Sequence, residues 1–381
     1  MTAVPASSVA ALAWQGVSDR FWLADQLAAP ALALLLLASG FGSRLCAAIS
    51  RLAGHRRYVV IAAFAATFVI LLQLLRAPLG WFWVRALDRA TGSPATSLGA
   101  WMPGELMESL LLIAGCVAAA LALYALMARG PRSWWLLAAI PACGLVLLVL
   151  AAQPWTRAYA PLGTSAIDRE IGAIASRAGV PAGRIGIQHS DERTGCGAAT
   201  VIGLGPTRVM LLDDTLVEQY PPAEIVESVA HESSHFIHDD NVKAFAMISA
   251  WLFFALGLVR WVGGQAVSRW HGRFGFDDLA NPASLPLVVS ILVVAYLVAL
   301  PFGRAYQRTM VERRADRFAL DLTHDNASEA MLYVKDMKCY PLLVSSPSPF
   351  YRAFRATHPS IEERIRFADA YHPWKSQSKP R

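Results

Sequence analysis

Charge is what this chain has least of. Asp, Glu, Lys and Arg make up 16% of its 381 residues, where an ordinary soluble domain carries about 25%. With 55% hydrophobic residues and a mean hydropathy of +0.40, that deficit excludes an ordinary soluble globule and indicates a chain built around a bilayer. Cysteine is sparse and shows no pairing pattern. Cys46, Cys116, Cys143, Cys196 and Cys339 contain no CxxC, which excludes a disulfide framework and a thiolate zinc site. Three of them lie in apolar runs and read as small buried hydrophobes. The first apolar stretch lacks a Lys/Arg-rich start and a small-residue cleavage site, so it is not a signal peptide. Internal repeats and low-complexity segments are missing too. The net charge of +6 comes from arginines beside apolar runs, the flanks of membrane helices, so no nucleic-acid partner is expected. Midplane charge is also absent: Asp25, Gln73 and Arg260 fall near the ends of their stretches, where side chains can snorkel. That argues against a channel or transporter.

A spanning helix needs about 20 mostly apolar residues. Six stretches qualify, near Leu23–Phe41, Tyr58–Leu75, Met107–Met127, Trp134–Ala152, Ala244–Val262 and Leu285–Gly303. The third and fourth form a hairpin across the tight Arg129-Gly-Pro-Arg132 turn. The Trp-rich segment from Pro78 to Gly104 has an interfacial composition and leaves room for a short seventh element. Four regions follow. Residues 1–152 carry four membrane helices, 153–243 form a soluble part, 244–303 hold two more membrane helices, and 304–381 are helical with a polar, Lys-rich tail. In the soluble part, Ile167–Ala178 predicts an amphipathic helix and Arg184–Gln188 a strand. Ala199–Gly203 and Thr207–Leu212 predict a hairpin joined by Leu204-Gly205-Pro206. Pro221-Pro222 opens a helix, since proline suits the first turn.

That helix carries His231-Glu232-Ser233-Ser234-His235, an HExxH motif. Residues four apart share a helical face, so both imidazoles can reach one Zn²⁺ at about 2.0–2.1 Å. Glu232 beside them can take a proton from a water that the metal acidifies. The motif helix is expected to run without interruption into the fifth stretch. His235 precedes that stretch by nine residues and Glu312 follows the sixth by nine, a rise of about 14 Å each. Consecutive membrane helices are antiparallel, so Glu312 stands level with the histidines as a third ligand, leaving a fourth position open. Asp316, four residues on, shares its face and can orient a ligating histidine; a solvated helix with Glu–Arg pairs explains the same segment. His238 is the rival ligand from the motif helix, with a surface role beside Asp239 or Asp240 as its alternative. One Zn²⁺ per chain is the expected cofactor.

These residues resemble the type I CAAX prenyl proteases and their relatives, including the heat-shock membrane protease HtpX. The resemblance rests on HESSH, on Glu312–Asp316 with Arg317-Phe-Ala319, on Arg208–Asp213 with Thr215-Leu216, and on His358-Pro-Ser-Ile-Glu-Glu-Arg364. It implies His231, His235 and Glu312 as zinc ligands, Glu232 as base, and His358 and Arg364 as oxyanion donors. For the last segment, Ser360-x-x-Glu363 also reads as a plain capping box. The family's Asn-Ala in its substrate-binding strand is Gly197-Ala198 here, and Ser234 replaces a usual Gly. The implied fold is mainly α: a polytopic transmembrane helical protein with a membrane-adjacent zincin-like metallopeptidase domain containing a small β-sheet. The implied function is zinc-dependent endoproteolysis of membrane-associated proteins or peptides, including CAAX-type processing. An inactive membrane scaffold is the alternative; the intact Glu232 speaks against it. Thr207–Leu212 is expected to be the edge strand that takes up substrate as an added strand. The expected site is a bacterial inner membrane. Arg44, Arg51, Arg56, Arg57, Arg129 and Arg132 place the zinc site outside by positive-inside counting, whereas Arg304, Arg308, Arg313, Arg314 and the family resemblance place it in the cytoplasm. The number of copies in the working protein is open.

Overall fold

A computed structural model describes residues 1–130, 132–190 and 196–377. Pro131 of the predicted turn and the end of the Lys-rich tail, 378–381, lie outside the described residues. The chain divides into two compact units. One comprises Met1–Gln15, Leu145–Met247 and Leu300–Arg381, the other Gly16–Gly144 and Ile248–Ala299.

Among the described residues, six helices are long and apolar enough to cross a membrane: Val9–Ala38, Arg57–Thr91, Leu98–Arg129, Trp134–Thr156, Asp240–Phe274 and Pro282–Thr323. Five of them contain a predicted stretch whole; the first predicted stretch, Leu23–Phe41, overruns its helix, which ends at Ala38, and Phe41 opens the next helix, Phe41–Leu52. The separate seventh element does not form. Instead Arg57–Thr91 runs straight through Pro78, and Leu98–Arg129 starts at a Ser97 cap and runs through Pro103. At 35 residues and 1.5 Å per residue, the first of these is about 50 Å long and overshoots a hydrocarbon layer of about 30 Å. That overshoot accounts for the interfacial composition, with the Trp81 and Trp101 rings 5.5 Å apart. The core of this unit gathers Ile61, Phe64, Tyr124 and Val288, and the Tyr124 hydroxyl bonds the Ser284 hydroxyl at 2.9 Å. Some polar groups in the apolar helices pair with one another: Arg76 Nε donates to Asp25 at 2.6 Å and Gln73 to Ser109 at 2.9 Å.

The other unit holds a four-stranded sheet of β1 (Tyr159–Pro161), β2 (Ile185–Gln188), β3 (Ala199–Ile202) and β4 (Val209–Asp213), in the order β1-β2-β4-β3. β2 and β4 are parallel; the outer pairs are antiparallel. The predicted hairpin forms, but its expected edge is wrong. β4 is paired on both sides, with Val209–Leu212 buried throughout, because a short unalternating apolar run suits a strand covered on both faces. The edge is β3. Helix Ala166–Arg177, opened by a Ser165–Asp168 capping box, and the motif helix Pro222–Ile237 pack around Ile171, Met210, Leu212, Ile225 and Val229.

The motif helix does not continue into the membrane stretch as expected. It ends at His238, Asp239 adopts φ +55°, and a new helix starts at Asp240. Aspartate tolerates this left-handed conformation better than most residues. Arg208 secures it by bonding the Phe236 carbonyl and, at 2.5 Å, the Asp239 carboxylate. On the returning side, Leu285–Tyr306 passes through a wide π turn, Gln307–Glu312, into Arg313–Thr323. The first fifteen residues strap onto the C-terminal part. Thr2 N–H donates to Asp369 at 2.6 Å, Ser345 N–H to the Ser7 hydroxyl at 2.9 Å, and Ser348 N–H to Gln15 at 3.0 Å.

Candidate metal centre

His231 and His235 sit one turn apart on the motif helix, and their Nε2 atoms approach to 3.2 Å. Glu312, from the end of the π turn, is brought to them: its Oε2 lies 3.4 Å from His231 Nε2 and 3.8 Å from His235 Nε2. That oxygen is buried and makes no hydrogen bond, while Oε1 accepts from Gln307 Nε2 at 2.7 Å. Two imidazole nitrogens and an orphaned carboxylate oxygen converging away from water are costly unless a cation lies between them. Two nitrogens and one carboxylate oxygen form a donor set suited to Zn²⁺. Glu232 joins the group: donor atoms of His231, Glu232 and His235 all lie within 4.8 Å of one another.

Each imidazole is oriented from behind. Asp316 Oδ1 stands 3.2 Å from His231 Nδ1, and Asp240 Oδ2 stands 2.9 Å from His235 Nδ1. A carboxylate on Nδ1 directs the Nε2 lone pair at the metal position and makes the ring more basic. Burial disfavours charge on His231, yet Asp316 and Glu312 outweigh it and raise its pKa to about 10. Both orienting carboxylates are anchored by arginine, Asp316 by Arg364 Nη2 at 2.5 Å and Asp240 by Arg314 at 2.5 Å. Behind them, the Tyr333 hydroxyl bridges Asp316 Oδ1, at 3.2 Å, and Glu329. Burial and the Asp316 charge push Glu329 up to about 7. Burial likewise raises the Glu232 carboxyl.

The group opens into a cleft of about 420 Å³. Gly197, Ala198 and Ala199 line it, as do Tyr333, Tyr340 and Val344. His358 and Arg364 both line this cleft. His358 is half exposed, with Nε2 3.2 Å from Glu312 Oε2. Arg364 turns its guanidinium to Asp316 and to His231 Nδ1, at 3.3 Å, and its Cζ lies 3.9 Å from the Tyr333 ring centre. The capping box is present as well. It starts the helix that brings Arg364 to Asp316. His238 stands apart: its Nδ1 bonds the Ser234 carbonyl at 2.8 Å and its ring meets Phe318 edge-on.

Sequence reasoning missed Asp240 as the partner of His235, and it missed Tyr333 and Glu329 entirely. Asp240 comes within reach only because the helix breaks at Asp239, which helical spacing does not reveal. For Tyr333 and Glu329, four apart on helix Asn326–Cys339, the available signal was a carboxylate and a phenol on one helix face.

The model of peptidase family M48 matches residues 161–372. The uncharacterized metalloprotease YhfN of Bacillus subtilis is 23% identical over 322 residues, covering 82% of this chain and 74% of its own. A CAAX prenyl protease 1 homolog of Dictyostelium discoideum is 22% identical, with the same coverages of 82% and 74%. Protease HtpX homolog 1 of Streptomyces coelicolor is 25% identical over 67% of this chain and 86% of its own. The crystal structure of S. mikatae Ste24p superposes with a TM-score of 0.69 at 17% identity, covering 91% of this chain and 85% of that one. Six apolar helices and this shared fold make the chain a multi-pass integral membrane protein.

Proposed function

The chain belongs to peptidase family M48, and from that premise we propose that it is a zinc-dependent endopeptidase in which His231, His235 and Glu312 hold the metal and Glu232 is the general base. The observation that carries this reading is the buried Glu312 Oε2, without a hydrogen bond and facing two imidazole Nε2 atoms. When bound, zinc supplies a Lewis acid that acidifies a water and polarises the scissile carbonyl. Glu232, made more basic by burial, accepts the proton of the attacking water and returns it to the leaving amine. Asp316 and Asp240 hold the two imidazoles in the ligating tautomer. His358, at the open side of the cleft, is placed to donate to the developing oxyanion. Arg364 serves the same charge more remotely, by fixing Asp316 behind His231.

The substrates are extended segments of membrane-associated proteins or peptides. The names of several relatives raise CAAX processing as one such use. The site faces the cytoplasm of a bacterial inner membrane. Glu232→Gln tests the mechanism. The variant should keep its zinc and its fold and lose at least about a hundredfold in kcat, the scale of a missing general base. Wild-type turnover in the purified, zinc-loaded variant rejects the assignment.

A further inference from the structure

The edge strand β3 is open over only part of its length. Along an antiparallel edge, residues bonded to the neighbouring strand alternate with residues whose N–H and C=O face outward. Ala198 faces β4: its N–H donates to the Asp213 carboxylate at 2.9 Å, and its carbonyl accepts from Asp213 N–H at 2.9 Å. Ala199, Val201 and Gly203 therefore face outward. Ala199 borders the cleft, and the cleft touches the strand no further than Ala199. Beyond it the edge is covered. Asn241 Nδ2 donates to the Val201 carbonyl at 3.1 Å and to the Gly203 carbonyl at 2.8 Å. Asn241 occupies the second position of the helix that restarts after the Asp239 break, so the same break that sends Asp240 to His235 also sends Asn241 to the strand.

We infer that Asn241 is a stop for the substrate: the protein takes an extended polypeptide as a short added strand that pairs with Ala199 and ends where Asn241 holds Val201. This rests on the peptidase reading. A substrate residue that would lie opposite Val201 finds that carbonyl already engaged and forfeits the bond that its own N–H would have made there. On one side of the scissile bond, recognition is therefore limited to the few residues nearest the metal. The ligand class is an unfolded segment recognised through its backbone, with no benefit from added length on that side.

The test uses the full-length, zinc-loaded protein in detergent. A bond that it cleaves in denatured casein is mapped, and nested peptides are made that extend from that bond on either side. Each protein serves as its own reference through the ratio of kcat/KM for long over short peptides. For the wild type this ratio should level off near one on one side of the bond. In Asn241→Ala the same extension should raise it about fivefold, the factor of one backbone hydrogen bond. A second arm needs no variant. N-methylation of successive substrate amides removes donors one at a time, and in the wild type its penalty should vanish beyond the predicted stop. A wild-type ratio that keeps rising on both sides, an unchanged profile in Asn241→Ala, or an N-methyl penalty extending past the stop overturns the inference while leaving the peptidase reading intact. Absence of any zinc-dependent cleavage overturns both.

Discussion

Glu312 and His238, the two candidates for the third ligand position, have different surroundings. Glu312 Oε2 is buried beside both histidines, whereas His238 closes the end of its own helix on the Ser234 carbonyl. Glu312→Ala should therefore bind zinc at least about a hundredfold more weakly, beyond the usual loss on removing an orienting partner, and hydrolyse no peptide. His238→Ala should retain its metal. Metal analysis of both purified proteins decides it, and zinc kept by the first or lost by the second reverses the assignment. The histidine pair was legible because a four-residue spacing on a helix is a local property. Asp240 was not, because its reach depends on one left-handed residue. Gly197 illustrates the opposite case, a departure from the family pattern with a steric cause. A Cβ at this position would lie 2.0 Å from Leu216 N, so the backbone that lines the cleft here has no room for the asparagine the family carries.

At the scale of elements, helices were read well and the sheet less so. Periodicity locates a strand but does not say how many neighbours it has, and β4 was taken for an edge although its unbroken burial marks it as central. The motif helix also carries a feature that periodicity hides. Glu227, one turn before His231, is fully buried, and burial, with the nearby Glu329 charge, raises its pKa to about 9. Its unfolded value is about 4.3. The folded state therefore favours the neutral acid. The resulting stabilisation is whole below about pH 4.3 and is lost as pH rises through 9. Glu227→Gln stays neutral throughout. Its apparent Tm should gain on the wild type between pH 6 and pH 9, by at least about 3 °C. Thermal scans in detergent across that range check this, and a pH-independent difference between the two proteins refutes it.

For the whole molecule, the six spans were legible from composition alone, since a bilayer demands length and apolarity and little else. Orientation was not, because arginines flank the apolar runs on both sides. With the site proposed to be cytoplasmic, a fluorescent reporter that matures only in the cytoplasm should light up when fused to the C-terminus. A dark fusion at normal expression means the opposite orientation. The N-terminal strap adds a constraint of another kind, one of time. Thr2, Ser7 and Gln15 are bonded to Asp369, Ser345 and Ser348, which lie 333 to 367 residues further along the chain, so these bonds close only after that later segment has been made. At about 5–20 residues per second, that interval is on the order of half a minute. Arg364, which clamps the carboxylate behind His231, lies 133 residues after it. A growing chain thus carries its histidines well before it carries the arginine that helps to align them.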